Sequence, residues 1–245
     1  GHGGLTAAWK LAQFGHNVKV IEKHGRENLG YDQKDPVDAS YFDFAGIEYP
    51  ERWKAPNNVI TLVPIDKNVE PITLPEENGA STLIVERREL LAFLIDLCEQ
   101  AGVEFEFDCE VLEPLVLGSR VVGIRTQNST EYADLIIDAC GIDSPLRMKL
   151  PDFMHIQKEL GDYDRLHVYR AYFDRVEGKP DPAHRYYVYV NRDGTVGFTW
   201  LITEPDCVDI LIARFGEVTH EDVCENIETL RAENEHIGEN LIRGG

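Results

Sequence analysis

The first 22 residues constrain what this chain can fold into more than any other stretch. Gly1-His2-Gly3-Gly4 opens the sequence and passes at once into Leu5-Thr6-Ala7-Ala8-Trp9-Lys10-Leu11-Ala12. Leu5, Ala8, Leu11 and Ala12 recur at helical spacing, and Gly15 stands where a helix would be terminated. Asn17-Val18-Lys19-Val20-Ile21-Glu22 follows, short and β-branched, with the texture of a buried parallel strand. The order is glycine turn, helix, tight turn, strand, acidic residue.

That order is the right half of a dinucleotide-binding βαβ unit. Gly1, Gly3 and Gly4 let the backbone approach a diphosphate, with His2 between them. The helix N-terminus behind them offers N–H groups and the positive end of a dipole. Glu22 closes the second strand and is placed to accept hydrogen bonds from ribose hydroxyls, at close to the ~20-residue separation such units show. A strand is expected before the first glycine, central in the sheet. The chain therefore reads as truncated at both ends, lacking that strand and its C-terminal part. Glu22 suits NAD as well as FAD, so a plain NAD-dependent Rossmann dehydrogenase stays open. The long polar excursion after the second strand argues against it, because a plain unit would go quickly to its next helix.

Residues 24–80 are irregular and proline-containing, with short strands expected at 59–64 and 70–74. Residues 86–101 form the clearest helix, with Leu90, Leu91, Leu94, Ile95 and Cys98 on one face and Gly102 ending it. A strand is expected over 103–111, then strands over 121–126 and 131–138 about the turn Gln127-Asn128-Ser129, together a small β-meander. Leu135-Ile136-Ile137 reads as buried. From Pro151 an antiparallel sheet is expected, with strands over 166–173, 185–191, 196–203 and 208–215 and a hairpin at Asp193-Gly194. Thr219 should cap a last helix with Asp222 as its capping-box partner. No closing element is expected after it.

Three stretches resemble a known family. GHGGLTAAWKLAQFGHNVKVIEK, VERRELLAFLIDLCEQAGVEF and ADLIIDACGIDSPLR are similar to segments of the flavoproteins that include p-hydroxybenzoate hydroxylase and, more closely, the geranylgeranyl reductases. The resemblance implies FAD, contacted by Arg87 in the Val-acid-Arg pattern. It also implies backbone groups of Val111 offered to the adenine, and Gly141 in the family's "Ala-Asp-Gly, two residues, Ser, two residues, Arg" signature. The Asp of that signature is Cys140 here, a departure that puts direct reduction by NAD(P)H in question and leaves room for another electron donor. VGFTWLIT resembles the reductases' substrate-sheet strand.

The fold class expected is α/β, α+β overall. A Rossmann-like FAD-binding domain with a parallel sheet and small meander (residues 1–45 and 81–150) would stand beside an antiparallel-sheet substrate domain (46–80 and 151–245). The function implied is an FAD-dependent oxidoreductase, a reductase or dehydrogenase passing hydride through flavin to or from an apolar or unsaturated organic substrate. An aromatic monooxygenase is the alternative within the family, and a non-catalytic binding module is a further one. No catalytic residue can be assigned from spacing, as expected where the cofactor carries the electron chemistry.

Single residues have blander readings too. Lys23 sits near the adenosine or is simply solvated, and Val111 is equally a core valine. Arg88 reads as surface. Two arginines at a helix start oppose its dipole, which points to a use for Arg87. Cys140 reads as a small buried filler rather than a redox thiol. Tyr187, Tyr189 and Trp200 either line an apolar substrate pocket or belong to ordinary core. Asp32, Lys34 and Asp35 receive no role.

A duplex or an anionic lipid surface would repel the net charge of −20, which argues against nucleic-acid binding. The charge suits a solvated acidic surface, or a docking face for a basic electron-transfer protein. Five cysteines without a CxxC pair fit a reducing, cytoplasmic compartment. No apolar run approaches the ~20 residues of a membrane span, and no histidine pair has metal-ligand spacing.

Overall fold

A computed structural model describes residues 1–55, 59–64, 66, 68–74, 82–179, 185–191 and 196–244. In chain order the elements are α1 (His2–Gln13), β1 (Lys19–Ile21), β2 (Lys34–Asp38), α2 (Ala39–Ala45), β3 (Val59–Val63), β4 (Ile72–Thr73), β5 (Thr82–Glu86), α3 (Arg87–Gln100), β6 (Glu104–Glu106), β7 (Val111–Leu117), β8 (Arg120–Thr126) and β9 (Thr130–Tyr132). They continue as α4 (Pro145–Lys149), β10 (Leu166–Arg175), β11 (Arg185–Val190), β12 (Gly197–Thr203), β13 (Cys207–Phe215), α5 (His220–Glu233) and β14 (Ile237–Gly244). The chain divides into two compact units. One holds Gly1–Asp35, Tyr41–Ile47 and Val85–Glu159; the other holds Pro36–Ser40, Glu48–Ile84 and Leu160–Gly245. β2 and β5 pair as a ribbon.

In the first unit α1 packs on α3. α1 buries Leu5, Ala8 and Trp9, and α3 buries Leu90, Leu91, Leu94, Ile95 and Cys98, the face its spacing predicts. The buried Cys98 thiol donates to the Leu5 carbonyl at 3.2 Å, binding the two helices. Gly15 and Gly102 both take φ of +84° just past these helices, the left-handed conformation that ends a helix most cheaply with glycine. β1 pairs in parallel with β6, Val20 opposite Phe105. Its residues are exposed or only half-buried, not buried as expected, because β6 is its single partner strand among the described residues.

The strand expected over 103–111 is shorter. The chain breaks from the ladder at Asp108, where φ is +52°, and restarts as β7. β7, β8 and β9 form the meander. Its Gln127–Ser129 turn closes on Thr126, whose Oγ1 accepts the amides of Asn128 and Ser129 at 3.1 and 2.9 Å. Lys19 Nζ ties β1 to β6 and to this meander through Glu106 at 2.7 Å and Glu131 at 3.1 Å. Leu135-Ile136-Ile137 is not a buried strand. No described strand pairs with it, and Leu135 and Ile137 are 64% and 50% exposed. An extended segment without a ladder partner cannot satisfy its backbone internally and stays in contact with solvent.

The second unit is a seven-stranded sheet in the order β14-β10-β13-β12-β11-β3-β4. All pairs are antiparallel except β11 with β3, which run parallel. The sheet is therefore mixed, and wider than the antiparallel sheet expected. It also gains a closing strand, β14, where none was foreseen. Asp193-Gly194 lies outside the described residues. One face carries Ala171, Phe173, Tyr189, Leu201, Val208, Ile210 and Ile212, which form one core with Val223, Ile227 and Leu230 of α5. Thr219 and Asp222 complete the predicted capping box: the Thr219 amide donates to Asp222 at 2.8 Å and the Asp222 amide to Thr219 Oγ1 at 3.1 Å.

The opposite face holds a buried charge pair. The Arg170 guanidinium forks onto both oxygens of Asp209, with Nε at 2.9 Å from Oδ1. It lies over the rings of Tyr172 and Trp200, 5.4 Å from each centroid. Tyr186 stands on the same face, and burial first, then the Glu204 and Asp209 carboxylates, pushes its phenol up to about 12.

Candidate functional site

A cavity of about 570 Å³ opens in the first unit where three backbone segments converge. Gly1, His2, Gly3 and Gly4 contribute the start of α1, and Arg87 contributes the start of α3. Ile137, Asp138, Ala139, Gly141, Ser144 and Arg147 supply the turn ahead of and within α4.

The α1 end is bare. No side chain caps it and no acidic residue stands in its first turn, so its first amides look outward for an acceptor. A Cβ on Gly1 or Gly3 would meet nothing within 4 Å, whereas one on Gly4 would lie 2.8 Å from the Ala139 methyl. Two glycines thus leave the cavity open and the third lets the helix approach the 138–141 turn. His2 is held below its ordinary value of 6.5, first by desolvation, then by Arg87, with Asp35 opposing.

The 138–147 turn is organised by Ser144. Its hydroxyl donates to the Asp138 carboxylate and accepts the amides of Leu146 and Arg147, both at 3.2 Å. Asp138 Oδ1 also accepts the Cys140 amide at 3.1 Å, and Gly141 takes φ of +83°. These bonds explain why the Ser and Arg of the quoted signature sit where they do. Arg147 Nη2 donates to the Ile142 carbonyl. Its Nε is buried and has no hydrogen-bond partner among the described residues, a cost of about 1–3 kcal/mol if left so.

Arg87 does not reach into the cavity as a lone cation. Nε and Nη2 fork onto Asp35, with Nη2 at 2.9 Å from Oδ1. Asp35 is the residue sequence reasoning left without a role. The unfavourable arginine at a helix start was the signal that a carboxylate partner should be sought.

The structure gathers Gly1, His2, Gly3, Gly4, Arg87 and Gly141 around one space. Glu22, Lys23 and Val111 are not among its lining residues. Glu22 continues the β1 ladder: its amide donates to the Glu106 carbonyl at 2.9 Å and its carbonyl accepts from Cys109 at 3.0 Å. Its Oε1 accepts the His24 amide at 3.0 Å. Lys23 is exposed, and Val111 is half-buried opposite Thr126. Cys140 is exposed rather than a buried filler. Its thiol is still pushed up to about 11, by partial desolvation first and then by the Asp138 carboxylate, so it is no stabilised thiolate.

Tyr187, Tyr189 and Trp200 do not line one pocket. Strand alternation puts Tyr187 and Tyr189 on the α5 face, where Tyr189 is core and Tyr187 packs against it. The register pairs Trp200 with Val188, which places the indole on the opposite face with Arg170. Its Nε1 is buried with no hydrogen-bond partner among the described residues. Among those residues no group of three or more His, Cys, Asp or Glu could hold a metal ion, and no helix is long and apolar enough to cross a membrane.

No family model matches the chain. It is 27% identical over 160 residues to a digeranylgeranylglycerophospholipid reductase of Haloferax volcanii, covering 65% of this chain and 38% of that protein. It is 24% identical over 214 residues to the reductase of that name from Sulfolobus acidocaldarius, covering 82% and 45%. The chain thus spans less than half the length of these curated relatives. Among solved structures, a geranylgeranyl bacteriochlorophyll reductase-like protein from Thermoplasma acidophilum superposes with a TM-score of 0.78 at 17% identity, covering all of this chain and 63% of that one. PqsL, a probable FAD-dependent monooxygenase from Pseudomonas aeruginosa, gives 0.67 at 17% identity, covering 98% and 65%. Aklavinone-11 hydroxylase with FAD and aklavinone gives 0.68 at 15%, covering 100% and 51%. In sequence the chain is similar to geranylgeranyl-type reductases, and it shares their mixed α/β fold with FAD-dependent hydroxylases, as the three quoted stretches implied.

Proposed function

We propose that this chain is the cofactor-binding unit and substrate-side sheet of an FAD-dependent oxidoreductase, a reductase or dehydrogenase acting on an apolar or unsaturated small molecule. One observation carries this: the bare α1 terminus, Arg87 and the Asp138–Arg147 turn converge on one cavity. The residues suit an anionic dinucleotide. The cavity is open above Gly1 and Gly3, and Arg147 brings to its wall a buried N–H that has no hydrogen-bond partner among the described residues. The likeness to named reductases supports the same reading.

Bound FAD would supply the electron chemistry, accepting or delivering hydride. The α1 amides would hold the diphosphate, and Gly4 would keep α1 against the 138–141 turn. Glu22 would take the ribose hydroxyls by releasing the His24 amide. Arg87 would add positive charge beside the phosphates. The second unit would supply the substrate side. In place of the signature Asp, Cys140 favours an electron donor other than direct NAD(P)H, such as a basic electron-transfer protein drawn to the acidic surface.

The test uses the full-length protein. Purified, it should be yellow with flavin absorption, and Glu22→Gln should weaken FAD by up to about tenfold, because a charge-assisted hydrogen bond becomes a neutral one. A colourless protein that binds neither FAD nor ADP overturns the proposal. The shared fold with PqsL and aklavinone-11 hydroxylase keeps a monooxygenase as the second reading; substrate-dependent oxygen uptake by the reduced protein would select it.

A further inference from the structure

We propose that Asp35 is a positioning residue for the diphosphate site, acting through Arg87; this rests on the reading of the cavity as a dinucleotide site. Arg87 is the first residue of α3, where the helix dipole disfavours a cation. Segment 30–35 grips it at three levels. Gly30, at φ +83°, passes so close to the side-chain stem that a Cβ there would lie 3.1 Å from Arg87 Cγ. Gln33 accepts the Arg87 amide at 2.9 Å. Asp35 takes Nε and Nη2 on its two carboxylate oxygens.

A two-pronged contact fixes the plane of a guanidinium as a single hydrogen bond does not. The pair is also shielded: the Arg87 and Asp35 side chains are 25% and 14% exposed, so water competes with it less than with a surface pair. Arg87 lines the cavity and Asp35 is absent from its lining. The carboxylate therefore acts behind the cation and sets how the guanidinium is presented to an anion in the cavity. On this view segment 30–35 is a collar that aims Arg87.

The test is a double-mutant cycle in the full-length protein, with ADP as probe and calorimetric Kd as readout. Asp35→Asn should weaken ADP about tenfold, and Arg87→Met at least as much. In the Arg87→Met background, adding Asp35→Asn should change Kd by less than about twofold, because the carboxylate then has no guanidinium to hold. Thermal melts and circular dichroism separate this from unfolding. The Arg87 Nε–H NMR resonance should be protected from solvent in the wild type and lost in Asp35→Asn.

The proposal is overturned if Asp35→Asn leaves Kd unchanged, tightens it, or weakens it equally in both backgrounds. A protected Arg87 resonance in a wild type that binds neither ADP nor FAD would defeat the dinucleotide reading while leaving the collar intact; the assignment of Asp35 to that site falls with it. An Asp35→Asn protein that retains the protected resonance would sink the collar alone.

Discussion

Gly4 and Ala139 pack so closely that a Cβ on the glycine would stand 2.8 Å from the alanine methyl. Gly4→Val must push α1 off the 138–141 turn. Urea denaturation should show a loss of about 1–3 kcal/mol, the usual cost of overpacking. ADP affinity of the full-length protein should fall with it. Gly3→Ala, whose Cβ meets nothing within 4 Å, should leave stability within about 0.5 kcal/mol.

Arg170 and Asp209 are 6% and 1% exposed. Asp209→Ala would leave a buried guanidinium without its counter-charge, and chemical denaturation should report a loss of about 3–5 kcal/mol. Replacing both partners, as Arg170→Met with Asp209→Leu, should recover most of that loss, because the desolvation of two charges disappears with the pair. A double variant as unstable as the single one would show that the aromatic rings beside Arg170 depend on the charge.

His2 has a folded-state pKa below 6.5, so folding favours its neutral form. The stability it contributes is complete above 6.5 and is lost as pH falls through 6.5 towards the folded value. An NMR titration should place the His2 midpoint below 6.5. Adding ADP to the full-length protein should move that midpoint upward, since an anion beside the ring favours imidazolium. A midpoint that ignores ADP would place the phosphates away from the α1 terminus.

Cys140 is exposed, yet its thiol lies at about 11 against an ordinary 9.0. At pH 8 its alkylation by iodoacetamide, read by mass spectrometry of the labelled peptide, should run about 100-fold slower than that of an unperturbed thiol. Asp138→Asn should speed it by removing the neighbouring charge. Fast labelling in the unaltered protein would contradict the environment described for this turn.

The helices were legible because their signals are local. The α3 face follows from the spacing of Leu90, Leu91, Leu94, Ile95 and Cys98, and the α5 cap from Thr219 and Asp222 three positions on. What long-range pairing decides was not. Leu135-Ile136-Ile137 has strand composition, but strand status requires a neighbour that its own sequence does not specify. Alternation alone puts Tyr187 and Tyr189 on a common face. Which face Trp200 shares depends on its pairing with Val188, set by the register between two strands. The cavity was half legible: the glycines at the start of α1 announce themselves by type and position, while Arg87 and Gly141 were implied by the family resemblance. Asp35 gave no such signal, because its partner stands in a different element.

The parallel pairing of β3 with β11 puts Val59 beside Arg185, with most of the first unit between them in the chain. On the ribosome, β3 emerges long before the strand it must join. Until β11 follows, Ile60 and Leu62 have no such neighbour, and the nascent segment is a candidate for chaperone capture or for pairing with another nascent copy. The first unit can close meanwhile, since β1 and β6 are both already made. The sheet is thus the part whose yield should respond to translation speed and growth temperature.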